Sequence, residues 1–90
     1  MNKSRETLKT SFLEVVENQI RDGTPPATRQ TFERLQREGH IVAKAKALIA
    51  SVIAAEMFEI VKHKRTFDEA KFIERLQQLP DMPWHDEPEA

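Results

Sequence analysis

Between Ile41 and Val61 the chain carries Ile41, Val42, Leu48, Ile49, Val52, Ile53, Met57, Phe58, Ile60 and Val61, too many large apolar residues for one stripe of a helix. An amphipathic surface helix repeats its apolar residues every three or four positions and leaves the opposite face polar. Here they recur on nearly every side, and neither glycine nor proline interrupts the run. The pattern predicts a helix from His40 or Ile41 to roughly Lys64, on the order of 35 Å long. A helix apolar around most of its girth has to be surrounded by neighbours, so this segment sets the plan of the fold. Along one edge, Ala43, Ala47, Ala50 and Ala54 follow a four-three-four spacing. Small residues there let another helix approach closely, from the same chain or from a second copy.

Three shorter helices are predicted around it. From about Ser4 to Asp22, the residues Leu8, Phe12, Val15, Val16 and Ile20 share one face, and Gly23 supplies the left-handed position that commonly ends a helix. Thr24-Pro25-Pro26 announces the second helix, with Thr24 as N-cap and proline in the first turn. Phe32 and Leu35 give that helix a narrow apolar stripe, Arg29, Glu33, Arg34 and Arg37 lie on its wetter side, and Gly39 closes it. Thr66-Phe67-Asp68-Glu69 fits a capping box, after which Ala70, Phe72, Ile73, Leu76 and Leu79 face inward until Pro80. Nothing reads as a strand: there is no tyrosine, no alternating β-branched run and no hairpin turn signal. The expected fold is therefore all-α, a compact four-helix domain with helices over about 4–22, 25–38, 41–64 and 67–79. Connections of two to four residues favour antiparallel neighbours. Residues 1–80 form one domain, and the proline-rich, acidic residues 81–90 form an extended tail from which Met82 and Trp84 could fold back.

Composition narrows the function. Ninety residues make one domain with few core side chains, leaving little room for an enclosed substrate pocket. A formal net charge of −1 disfavours non-specific binding to nucleic acid or to a membrane surface. The absence of cysteine excludes disulfides and Cys-based zinc. Lys44, Lys46, Glu56 and Glu59 interrupt the only stretch with the length of a membrane span, and the first residues show no apolar leader. A cytoplasmic location is the expectation.

Few residues suggest chemistry. Glu56, Glu59 and His63 share a helical face and could contribute to a carboxylate metal site, with Glu14 and Glu17 as the other closely spaced pair. The bland alternative, solvated charges on the C-terminal half of the helix, is the favoured one. Lys62-His63-Lys64-Arg65 could meet phosphate or an acidic partner, but cations at a helix C-terminus already complement its dipole. The two helices flanking Gly39 have the outline of a helix-turn-helix, yet the second opens with Ile41, Val42 and Ala43, leaving only Lys44 and Lys46 to read bases. Ser51, inside the apolar helix, is expected to bond to a carbonyl one turn back. The histidines His40, His63 and His85 are scattered, and two isolated glycines make no phosphate loop, so neither catalysis nor a cofactor is expected.

Gly23-Thr24-Pro25-Pro26, Thr31-Phe32-Glu33-Arg34-Leu35, Glu38-Gly39-His40, Ala54 to Ile60, Phe67-Asp68 and Leu79 to Trp84 together give the chain a resemblance. In order and spacing it resembles a family of small helical bacterial proteins of unknown function, over roughly Glu14 to Trp84. The resemblance implies an all-helical domain and no activity. It also implies histidines in the first helix and early in the long helix, where this chain has Lys9, Leu13, Ala43 and Ala47. The function expected from the residues is a non-enzymatic interaction module that self-associates through Ala43, Ala47, Ala50 and Ala54, with Trp84 as a further contact. Its partner is a second copy, forming a dimer, or another protein. The rival readings are nucleic-acid binding through Lys44, Lys46 and Lys62 to Arg65, and metal binding at Glu56, Glu59 and His63.

Overall fold

The computed structural model describes the backbone of residues 3–82 and the side chains of residues 11–82. Trp84, most of the acidic tail and the side chain of Leu8 therefore lie outside the described residues. Four helices follow in order, α1 (Lys3–Asp22), α2 (Pro26–Arg37), α3 (Val42–His63) and α4 (Glu69–Gln78), with no strand among the described residues. The all-α, four-helix plan is the one that the periodicity dictates. Both α2 and α3 pack against each of the other helices.

The ends of the helices follow local chemistry. Gly23, at φ +68°, takes the left-handed conformation after α1, and its N–H bonds to the Gln19 carbonyl at 2.8 Å. Arg29 completes this terminus from α2: its Nε and Nη2 donate to the carbonyls of Ile20 and Arg21, each at 2.9 Å. A residue expected on the wet side of α2 thus satisfies orphan carbonyls of α1. Gly39, at φ +104°, turns the chain out of α2. α3 stops at Lys64, a non-glycine residue in the left-handed region.

Two expected caps sit elsewhere. Pro25, not Thr24, occupies the N-cap of α2 and makes no side-chain cap bond. The N-cap of α4 is Asp68, whose carboxylate accepts from the Lys71 N–H at 3.1 Å, so α4 starts two residues later than the Thr66 capping box implies. A charged carboxylate at a helix N-terminus is a stronger acceptor than a hydroxyl, and the macrodipole favours it further.

The core consists of Val16 from α1, Leu35 from α2, Ala45, Leu48, Ile49, Val52 and Ile53 from α3, Phe72 and Leu76 from α4, and Leu79 beyond it. Phe12, Ile20, Phe32 and Met82 pack around its edge, so Met82 does return to the domain. Ala70 is exposed, against expectation; it lies off the stripe formed by Phe72, Leu76 and Leu79. Thr28 is buried as deeply as the leucines because its hydroxyl donates to Gln19 Oε1 at 2.8 Å, tying α2 to α1.

The larger correction concerns α3. It is not surrounded: Val42, Met57, Phe58 and Val61 remain 45, 49, 62 and 74% exposed. Three short helices cover one side of it and leave the other open. No helix among the described residues is long and apolar enough to cross a membrane.

Candidate interaction face on the long helix

α3 has two distinct sides. Its buried residues Ala45, Leu48, Ile49, Val52, Ile53 and Glu56 lie on the side that meets the other helices. At 3.6 residues per turn, Ala43, Ala47, Ala50, Ala54, Met57 and Val61 fall on the opposite side. Their spacing of four, three, four, three and four is a heptad-type repeat, which keeps one seam directed at one neighbour. Ala43 and Ala47 are exposed, Ala54 is half-buried, and Ala50 is partly covered where it touches the edge of the core. The alanine edge therefore continues into Met57 and Val61, with Phe58 beside them. In the sequence Met57 and Val61 are indistinguishable from core residues, and only the packing leaves them 49 and 74% exposed.

The rim of this face is basic or neutral. Lys44 is exposed. Lys46 pairs with Glu17 of α1 at 3.4 Å and lies 5.9 Å from the Phe32 ring centroid. Lys62 reaches over the Phe58 ring at 5.5 Å, a cation–π contact that sets a positive charge beside this end of the strip. Ser51 donates to the Ala47 carbonyl at 3.1 Å, as expected, which hides the one hydroxyl beside the seam.

The carboxylates of α3 point away from the open face. Arg75 of α4 donates through Nη1 to Glu56 Oε2 at 3.0 Å and through Nη2 to Glu59 Oε2 at 2.6 Å. Lys71 and Arg65 both donate to Glu59 Oε1, at 2.9 and 2.6 Å. Glu56 is 3% exposed and Arg75 7%, so these are not the solvated charges expected for this half of the helix. They form the ion network that fastens α4 to α3. Burial pushes the Glu56 carboxyl above its ordinary value of 4.5, an effect that the opposing charge of Arg75 only partly offsets. Glu59 is held down at about 2 by the hydrogen bonds from Arg75 and Lys71. His63 is exposed and no bond joins it to this network among the described residues. No group of three or more His, Cys, Asp or Glu residues that could hold a metal ion occurs among the described residues.

The basic run is likewise divided. Lys62 covers Phe58, Lys64 turns the chain, and Arg65 pairs with Glu59. Between α2 and α4 an open cleft of about 500 Å³ is lined by Pro25, Gln30, Arg34, Arg37 and Ile73, among others. Arg34 is committed there: it donates to Glu38 at 2.8 Å and to the Leu76 carbonyl at 3.0 Å, bridging α2 to the end of α4. The buried Thr31 and the exposed Arg37 and Glu69 also line the cleft. No protein-family model, curated protein or solved structure matches the chain.

Proposed function

We propose that this chain is a non-enzymatic interaction module that self-associates through the open side of α3. The observation that carries the reading is the exposure of Met57, Phe58 and Val61 in line with Ala43, Ala47, Ala50 and Ala54, on the side of α3 away from the core. Among the described residues, what packs near this strip leaves Met57, Phe58 and Val61 largely exposed. Water gains when large apolar groups leave it, and a contiguous apolar strip on a small domain is a docking surface or an aggregation liability. A second copy supplies a matching strip in the same molecule, and most soluble oligomers are symmetric assemblies of one chain.

The test is the solution mass, by light scattering or sedimentation equilibrium across a concentration series. The native chain is expected to reach the mass of a dimer. Ala47→Glu places a charge on an exposed position of the strip and should give a monomer with unchanged helical circular dichroism. Ala50 is less suitable for the same change because it also touches the core. A native chain that stays monomeric at the highest concentration refutes self-association.

A further inference from the structure

The layout of α3 also selects how two copies would meet. We propose that the dimer packs α3 against α3 antiparallel, with Ala43 opposite Val61, Ala47 opposite Met57 and Ala50 opposite Ala54 of the second copy. This inference rests on the self-association reading and adds its geometry.

Two features of the strip bear on this geometry: its spacing permits the antiparallel register, and the sizes of its residues select it. First, the spacing of four, three, four, three and four reads identically from either end. Reversing one helix therefore brings every seam residue opposite a seam residue of the other copy, in a single register. Second, the strip is graded in size: its N-terminal part holds alanines, while Met57, Phe58 and Val61 stand at its C-terminal end. Antiparallel packing sets small against large in the outer layers and alanine against alanine in the centre, so the helix axes stay evenly spaced. Parallel packing puts alanine on alanine at one end and Met57, Phe58 and Val61 on their own copies at the other. Helix axes lie about 8 Å apart over small side chains and about 10 Å over large ones, so parallel helices would diverge and lose contact.

The area available can be compared with what a specific dimer needs. The exposed portions of the seam and Phe58 come to roughly 450–500 Å² per copy, or about 1,000 Å² for the pair, at the lower limit for a specific interface. A dimer that dissociates on dilution is the expected behaviour.

The chain contains no cysteine, so direction can be read by cross-linking. Ala47→Cys and Met57→Cys are both at exposed positions and are prepared as separate single variants, one carrying a mass tag. They are mixed and oxidised gently, alongside each variant alone. In the antiparallel register Cys sulfurs at 47 and 57 of different copies are within disulfide reach, whereas two copies of position 47 are about 15 Å apart along the helix. The expected result is a mixed disulfide that exceeds either homodimeric product at least tenfold. Homodimeric products from each variant alone, with little mixed product, would mean a parallel dimer and overturn the register while leaving self-association intact. A dimer by mass with no cross-linked product overturns the α3 face altogether. A monomer by mass removes self-association, and the register with it; the strip would then belong to a different protein.

Discussion

Arg75 is the residue whose removal should do the most damage for a polar side chain. It sits 7% exposed between α3 and α4, bonded to both Glu56 and Glu59. Arg75→Met keeps much of the volume and the apolar stem but leaves the Glu56 carboxylate buried at 3% exposure without its principal cation. Breaking a buried pair by removing one partner costs about 3–5 kcal/mol, because the remaining charge has lost both water and its counterion. A domain of this size has a total stability of about 5–13 kcal/mol, so the variant should lose roughly a quarter of it or more. Glu56→Gln should cost only about 1 kcal/mol, since Arg75 keeps Glu59 and the amide oxygen still accepts a hydrogen bond.

Acid supplies the decisive comparison. The Glu56 carboxyl already titrates above its ordinary 4.5, and loss of Arg75 raises it further. For a carboxyl raised in the native state, the favourable contribution is present below the unfolded value and is lost as pH rises through the native one. The penalty of Arg75→Met should therefore shrink as pH falls from 7 towards 4, while that of Glu56→Gln grows, because the native carboxyl is itself raised and gains from protonation that the amide cannot. Urea unfolding followed by circular dichroism at both pH values measures this difference. A loss under about 1 kcal/mol for Arg75→Met at pH 7, or a loss that does not diminish in acid, would refute the reading of Glu56 as a buried charge held by Arg75.

Glu59 should behave in the opposite sense. Its carboxyl is lowered from 4.5 to about 2, so it adds stability above about pH 4.5 that disappears as pH falls towards 2. Glu59→Gln is expected to cost about 1–3 kcal/mol at pH 7, less than the full shift implies because the group is partly exposed, and to flatten the acid limb of an unfolding-against-pH curve. At the start of α4, Asp68→Ala should cost about 1 kcal/mol and Thr66→Ala almost nothing; equal losses in thermal melts would return the cap to Thr66.

Much of this architecture is a consequence of short-range rules. The four helices, the left-handed glycines at positions 23 and 39 and the back-bond of Ser51 follow from periodicity, backbone sterics and the reach of a side chain to its own turn. These interactions span a few residues, so the amino-acid order contains both partners. The apolar excess of α3 was equally legible, and so was the need for something to cover it. Tertiary structure decided which side would be covered. Leu48, Ile49 and Val52 do not differ in kind from Met57, Phe58 and Val61; they differ in having α1, α2 and α4 against them. The same holds for the charges. Glu56 and Glu59 looked like a solvated face because their cation, Arg75, lies on another helix and is 19 and 16 positions away in the chain. Burial depends on which surfaces meet, and a pairwise charge energy depends on distance and local dielectric, neither of which a linear pattern specifies until the helices have packed.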